Sequence, residues 1–390
     1  MIQVEEALSI IEQNSCKMPI RKVKVNKSLG FILAEAIYSP MDMPPFRQSA
    51  MDGYAFSYSE LKQFDVLGVS QAGDFTNSIL QKNQAIRVFT GAYVPDNLDT
   101  VVMQEHTTSI EKSIEINKMP MRFDNVRNKG EQIKENELVL EKNTLLTPAA
   151  IGFLACLGIT AIKVYIKPKV AIVVTGNELV KAGKKLPLGK IYESNAIMLE
   201  SALREIGIKK TATFRVKDNL KETKKVLKSC LSAFDVVLVS GGISVGDYDF
   251  VKEALLSNGV EKLFYKINQK PGKPLFFGKK DKKLVFALPG NPASTLTTFY
   301  VYVLPAIKKR MGFEAIHLPK IKRKINSDFT NVSGKSLFLK ALYDDEKVTV
   351  LDSQSSAMLN SFAIANGLIY IPYNVVTIEK NNEVAVFPLN

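Results

Sequence analysis

Cysteine is scarce in this chain. Cys16, Cys156 and Cys230 stand apart, an odd number without the spacing of a disulfide framework or a zinc site. Such usage fits a reducing compartment, and the cytoplasm is the expected location. The opening residues 1–7 carry Glu5 and Glu6 where an export signal would carry Lys or Arg ahead of an apolar run. Export is therefore not expected. Long hydrophobic runs are also missing: the most apolar stretches, 145–164 and 293–307, are interrupted by Gly, Pro or Thr, and neither makes a good membrane span. No nucleic-acid motif or aromatic RNA-binding signature occurs, and the basic runs at 21–27, 181–190 and 279–283 are scattered. The net charge of +13 reads as a field that concentrates anions, among them phosphorylated small molecules, anionic lipids and nucleic acids, and charge alone does not choose. The basic runs read as solvated surface ahead of DNA binding, and neither nucleic acid nor membrane is the expected partner.

What is present is the composition of an ordinary globular protein, 46% hydrophobic and 23% charged, which excludes disorder as the default. Apolar residues recur at helical spacing over 4–13 and again over 29–36, until Pro40, Pro44 and Pro45 stop any helix. Between 46 and 140 the pattern changes to short alternating strands such as 85–89 and 113–117. Thr147 and Pro148 then look like the N-cap and first residue of a helix ended by Gly158, so the β-rich stretch reads as an insertion.

From 169 onward strands and helices alternate. Strands are expected at 170–175, 211–216 and 235–240, and helices at 195–205, 220–231 and 249–257. A last helix starts with Asn291 as N-cap and Pro292 at its first position, with a kink expected at Pro305. This alternation predicts a doubly wound α/β domain, a parallel sheet covered by helices on both faces. Strands at 336–343 and 347–351, turned by Asp344 and Asp345, predict a small closing β-domain. The expected division is 1–45 with 140–168 as a helical N-terminal linker domain, 46–139 as an inserted β-rich domain, 169–312 as the α/β domain, and 313–390 as the C-terminal β-domain.

Ligands of α/β sheets sit beyond the carboxyl ends of the strands. Four loops there are unusual: Thr175-Gly176-Asn177-Glu178, the run from Ser240 to Asp249, Lys270-Pro271-Gly272-Lys273-Pro274, and Leu288-Pro289-Gly290-Asn291-Pro292. Small glycines such as Gly241, Gly242 and Gly246 let backbone approach a ligand, and N–H groups at a following helix start bind phosphate oxygens. The spacing matches neither the dinucleotide fingerprint nor the P-loop. A tight turn with Asp247 or Asp249 as N-cap is the alternative reading. The prolines around Gly272 stiffen a segment whose Lys270 and Lys273 would present two ammonium groups to one anion, with solvated surface lysines as the alternative. Glu178, Asp218 and Asp249 follow strands on the same side, where carboxylates hold Mg²⁺ against phosphate, although Asp218 equally reads as a helix N-cap. Two further runs, Pro44 to Ala55 and Thr90 to Pro95, place Asp52 and Thr90 in Gly-rich loops with a capping or turn role as the alternative.

Together PPFRQSAMDGYAF, TGAYVP, NVRNKGEQI, TGNEL, SGGISVGDYDF, KPGKP and LPGNPAS resemble the signature series of the molybdopterin molybdenumtransferase family, often called MoeA, which includes the C-terminal domain of gephyrin. The resemblance spans nearly the whole chain. It implies an elongated four-domain homodimer, with a molybdopterin-binding α/β domain, a C-terminal small β-barrel-like domain, and a cleft completed by the partner's N-terminal half. It also implies the reaction: adenylyl-molybdopterin plus molybdate gives molybdenum cofactor and AMP, with Mg²⁺. Molybdopterin adenylyltransferase and other proteins of the cofactor pathway are the implied partners.

Carried over by motif, Lys270, Lys273 and Ser294 would bind molybdate, helped by Ser356 and Lys340. Asp218, Asp249 and Glu178 would serve the cation or the nucleotide, Gly241, Gly242, Ser244, Gly246, Pro289 and Pro292 would line the substrate, and Asp52 and Thr90 would face the cleft across the dimer interface. Two departures stand out. Gln132 replaces the usual Asp after Gly130-Glu131, and Lys340 replaces a usual Arg, which removes a bidentate fork but keeps the charge. An adenylyltransferase-like enzyme and a gephyrin-like dimeric scaffold are the competing functions. Molybdate and tungstate, both tetrahedral dianions, are not distinguished by these residues.

Overall fold

In the strand Val170–Thr175 every residue is buried, and successive side chains feed opposite cores. Val170, Ile172 and Val174 join one core; Ala171 and Val173 join the other. The same alternation runs through Val236–Ser240 and Lys283–Leu288, the signature of a sheet covered on both faces. Ala196, Leu199, Ala202 and Leu203 of the helix Asn195–Glu205 cover the first face. Leu227, Cys230 and Leu231 of Leu220–Ala233, with Val251, Ala254 and Leu255 of Phe250–Ser257, cover the second. Burial pushes the Cys230 thiol up to about 11, so this cysteine is a packing residue.

The computed structural model describes residues 1–75, 79–243 and 250–389. The chain divides into two compact units, one made of Met1–Lys22, Gly30–Ala34 and Lys163–Asn390, the other of Val23–Leu29 and Glu35–Ile162.

In the first unit the central sheet has six strands, in the order Thr211–Val216, Val170–Thr175, Val236–Ser240, Lys283–Leu288, Phe276–Lys280, Glu261–Tyr265. The first four are mutually parallel, as a doubly wound domain requires, and the last two pair antiparallel, so the parallel sheet expected carries an antiparallel edge. Phe276–Lys280 and Lys283–Leu288 are joined by a turn at Asp281 and Lys282, and so short a link connects only antiparallel neighbours. The chain enters at Val170–Thr175, crosses to one side at Thr211–Val216, and returns to the other at Val236–Ser240. That reversal leaves a crevice at the carboxyl ends of the first and third of these strands.

The helix expected at 29–36 is absent. Gly30 takes a left-handed φ of 70°, Ile32 C=O accepts from Tyr165 N–H at 3.1 Å, and Ala34 N–H donates to Lys163 C=O at 2.9 Å. Strand-like pairing won over local periodicity. The helix starting at Pro292 carries a π-segment, Phe299–Val303, ahead of the final turn Leu304–Arg310. Pro305 lacks an N–H and crowds the carbonyl four residues back, and the wider turn lies just before it. Toward the C-terminus, Ser336–Tyr343, Lys347–Val350, Ile321–Ile325, Glu383–Pro388 and Gly367–Ile371 pair in succession. The last pairs again with the first, closing a five-stranded barrel. Lys347 meets Lys324 in that circuit as one end of a parallel pairing, and Leu337, Leu339, Ile369 and Val386 fill the interior.

The second unit is built on a six-stranded sheet in the order Thr100–Met103, Gly53–Phe56, Gln84–Val88, Gln63–Ser70, Ser113–Ile116, Thr107–Ile110. Two of the unusual sequence runs are bound to each other there. Ser49 N–H donates to Ala92 C=O at 2.9 Å, Gly91 N–H to Ser49 C=O at 2.8 Å, and Val94 N–H to Arg47 C=O at 3.0 Å. Asp52 Oδ1 accepts from Thr90 N–H at 2.8 Å and from Thr90 Oγ1 at 2.9 Å, and these bonds hold its carboxyl below the ordinary 3.8. At Asp99 burial pulls the carboxyl upward, but Arg122, Tyr58 N–H and the Thr100 hydroxyl outweigh it and the net shift is down.

A carboxyl depressed in the folded state contributes stability that is complete above its unfolded value and lost as pH falls through the folded one. The stabilising effect of Asp99 relative to an Asp99→Asn variant is therefore expected to be full at neutral pH and to fade below pH 3.8. Urea unfolding at a series of acid pH values checks this. An unchanged difference down to about pH 2 would contradict it.

Candidate functional site

The crevice at the sheet's reversal is a cleft of about 1140 Å³ within the first unit. Thr175, Gly176 and Glu178 reach it from the end of one central strand, and Ser240, Gly241 and Gly242 from the other. Lys270 to Pro274 form one wall, Pro289 to Pro292 with Ser294 form the helix-start wall, and Gln354 to Ala357 arrive from the barrel. Ten of the sequence-derived candidates meet here: Glu178, Asp218, Gly241, Gly242, Lys270, Lys273, Pro289, Pro292, Ser294 and Ser356. Ser244, Gly246 and Asp249 lie outside the described residues.

Each wall has an identifiable support. A Cβ on Gly241, which has a φ of 91°, would stand 2.7 Å from Thr175 C=O, so only glycine lets the two strand ends approach. Asp218 is not a helix cap: Asn219 caps Leu220–Ala233 by accepting from Glu222 N–H. Asp218 Oδ2 accepts from Asn177 N–H at 3.0 Å, and Asn177 Oδ1 accepts from Asp218 N–H at 3.2 Å. This reciprocal pair joins the two loops that bring Glu178 and the Asp218 carboxylate to the cleft.

Asn291 stands at the cap position of the next helix, but its side chain makes no capping bond. Its Nδ2 instead donates to Ser356 Oγ at 2.8 Å, and Ser294 N–H donates to Ser356 C=O at 3.2 Å. The barrel loop is thereby clipped onto the helix start. At the opposite wall Lys270 and Lys273 are both exposed, and neither is ion-paired with a described carboxylate. Two such ammonium groups on one loop, in a cleft that also holds hydroxyls, are what an oxyanion needs.

Lys340 requires correction. It does not line the cleft and is only 3% exposed. Its ammonium donates to Ser353 C=O at 2.7 Å, Met358 C=O at 3.0 Å and Ser355 C=O at 3.4 Å, which uses all three donors. Burial lowers its pKa. Lys340 therefore acts behind the loop that carries Ser355 and Ser356, not on the ligand. Replacing it by Met keeps the apolar stem but leaves the Met358 carbonyl unmet and takes one of two donors from Ser353 C=O, which keeps Ser361 Oγ, and from Ser355 C=O, which keeps Met358 N–H. Lys340→Met is expected to destabilise the protein by about 2 kcal/mol. Denaturant unfolding checks this, and a loss below about 1 kcal/mol would contradict it.

Asp52 and Thr90 belong to the second unit, where they bond each other as described above. Gln132 lies exposed in a bend, with its N–H donating to Met43 C=O at 2.9 Å. Glu131 Oε2 accepts from Asn128 N–H at 2.8 Å and is a turn residue. Sequence reading missed Asn195, Gln269 and Gln354. Asn195 is buried at the cleft, and its Nδ2 donates to Ser240 Oγ and Gly290 C=O, both at 2.8 Å. A polar residue at a helix start gives no signal that it ties separate loops together.

Compared with known proteins, residues 2–158 match the MoeA N-terminal region (domain I and II), 171–309 the probable molybdopterin binding domain, and 322–389 the MoeA C-terminal region (domain IV). The chain is 34% identical over 384 residues to a molybdopterin molybdenumtransferase of Staphylococcus epidermidis, with 95% of this chain and 91% of that one covered. It is 33% identical over 409 aligned positions to that of Haemophilus influenzae, with 100% and 99% covered. A solved structure of a molybdopterin biosynthesis MoeA protein from Pyrococcus horikoshii superposes with a TM-score of 0.85 at 30% identity, covering 100% of this chain and 99% of its own. A second, also from Pyrococcus horikoshii, gives 0.83 at 27% identity, with both chains fully covered.

Proposed function

This chain belongs to the molybdopterin molybdenumtransferase (MoeA) family, enzymes of molybdenum cofactor biosynthesis, and from that premise we infer that it inserts molybdate into adenylyl-molybdopterin with Mg²⁺-dependent release of AMP. The observation that carries this reading is the pair Lys270 and Lys273, two exposed ammonium groups on one wall of the cleft, neither ion-paired with a described carboxylate. They bind the molybdate dianion, and the hydroxyls of Ser294 and Ser356 orient its oxygens. Gly241, Gly242, Pro289 and Pro292 bring backbone close to the substrate.

Mg²⁺ is held by few protein carboxylates and completes its shell with water and phosphate oxygens. Among the described residues no group of three ligating side chains gathers. Of the cleft carboxylates, Glu193 is taken up by Ala196 N–H and Arg215, while Glu178 and Asp218 suit a cation shared with the substrate. Asp249 would add a further carboxylate. When bound, the ion neutralises charge on the phosphoanhydride that water opens to release AMP. The protein's own part is to hold two anions against each other so that the dithiolene sulfurs displace oxo from molybdenum, the oxygen leaving as water with the thiol protons. Asp52 and Thr90 would approach the cleft from the partner copy of a homodimer. The enzyme would work in the cytoplasm, with molybdopterin adenylyltransferase and later proteins of the cofactor pathway as partners. No helix among the described residues is long and apolar enough to cross a membrane.

Incubation of the purified protein with adenylyl-molybdopterin, Mg²⁺ and molybdate or tungstate, with AMP measured, tests the reading. AMP release that requires both oxyanion and Mg²⁺ is the expected result. Consumption of ATP with molybdopterin, and no oxyanion requirement, would indicate the preceding adenylylation step instead.

A further inference from the structure

Beneath the lysine wall lies a buried polar relay that the chemistry above does not use. Gln269 and Tyr302 are both fully buried. Gln269 Nε2 donates to Pro271 C=O at 2.9 Å and to Gly272 C=O at 3.3 Å. Carbonyls only accept, so the amide nitrogen must face them and the amide oxygen must face away. That oxygen accepts the hydroxyl proton of Tyr302. The two gripped carbonyls belong to the two residues that separate Lys270 from Lys273.

The helix that supplies Tyr302 is aligned with the loop along one face. Ser294, Thr298 and Tyr302 follow one another at four-residue intervals. Ser294 lines the cleft, and a Cβ on Gly272 would stand 2.6 Å from Thr298 Cγ2, so the helix lies directly under the loop. Tyr302 falls within the π-segment Phe299–Val303. The loop is also anchored at its start, where Gln269 and Lys270 pair in parallel with Ser336 and Leu337 of the barrel.

A Phe and a Leu would fill this space without desolvating the hydroxyl and the amide, so the relay is not needed to pack the core. What it adds is a single position for the backbone between the lysines. We infer that Tyr302 and Gln269 are positioning residues for the oxyanion site, setting the placement of Lys270 and Lys273 through the Pro271 and Gly272 carbonyls. The inference rests on the assignment of Lys270 and Lys273 to the oxyanion.

Tyr302→Phe removes one hydroxyl and little volume. It is expected to raise the half-saturating molybdate concentration about ten-fold, as a displaced binding residue does, while half-saturation by adenylyl-molybdopterin stays within about two-fold and the melting temperature falls only slightly. Gln269→Glu turns a carboxylate oxygen toward the two carbonyls and should weaken molybdate saturation further. Hydrogen exchange over residues 269–275, read by mass spectrometry without any ligand, should speed up in both variants. If Tyr302→Phe saturates like the parent enzyme while a Lys270→Ala, Lys273→Ala variant does not, the relay has no positioning role and the inference falls. If neither variant changes molybdate saturation, the lysine assignment falls and the inference falls with it.

Discussion

An enzyme carrying Lys270→Ala and Lys273→Ala together is expected to fold normally and to need about a hundred-fold more molybdate, or more, for half-saturation. Each lysine contributes charge-assisted hydrogen bonds of about 1.5–3 kcal/mol, and removing both sets of bonds together costs about 3 kcal/mol or more. Both side chains are exposed and neither is ion-paired with a described carboxylate, so their removal leaves no buried group unmet. Stability should therefore stay within about 0.5 kcal/mol of the parent. The measurement is AMP release against molybdate concentration, with a thermal melt alongside. Parent-like saturation in a folded double variant would remove the oxyanion assignment.

Gly53→Ala is expected to have a comparably large effect through stability alone. Gly53 pairs with Met103 in the second unit's sheet, and a Cβ there would stand 1.9 Å from the Val102 carbonyl oxygen and 2.9 Å from its carbonyl carbon. Both obstacles are backbone, so no rotamer change relieves them. Separating the two strands disturbs Gly53–Phe56 pairing on both sides, at a cost of about 3 kcal/mol or more. Asp52 would move too, because its C=O accepts from Gln104 N–H at 3.0 Å and its carboxylate holds Thr90. Urea unfolding checks the stability loss. A variant as stable as the parent would show that the strands open without strain.

Gly53 also explains a run for which the sequence offers a capping or turn role as the alternative. The Met-Asp-Gly-Tyr segment needs a residue without a side chain at one strand position and a short acceptor just before it. Neither requirement concerns its own sequence neighbours. The glycine answers to Val102, and the aspartate answers to Thr90.

The amino-acid sequence by itself determined the local states and the chemistry available. Val170–Thr175, Asn195–Glu205, Thr211–Val216 and Ser336–Tyr343 occupy the spans that periodicity indicates, because a strand or helix buried along a face needs apolar residues at regular near-neighbour spacing. The Gly and Pro runs marked the cleft loops for the same reason, since unusual backbone needs unusual residues. Tertiary structure alone decided the partners. It turned 30–34 from a helical pattern into backbone pairing with 163–165, and it set Phe276–Lys280 antiparallel to its neighbours. It also put Lys340, expected to help bind molybdate, behind the loop that carries Ser355 and Ser356, and it joined Tyr302 to Gln269 across 33 positions of sequence. A hydrogen-bond donor carries no mark of which distant acceptor it will meet, because that choice is made only when the cores on both faces of the sheet have closed.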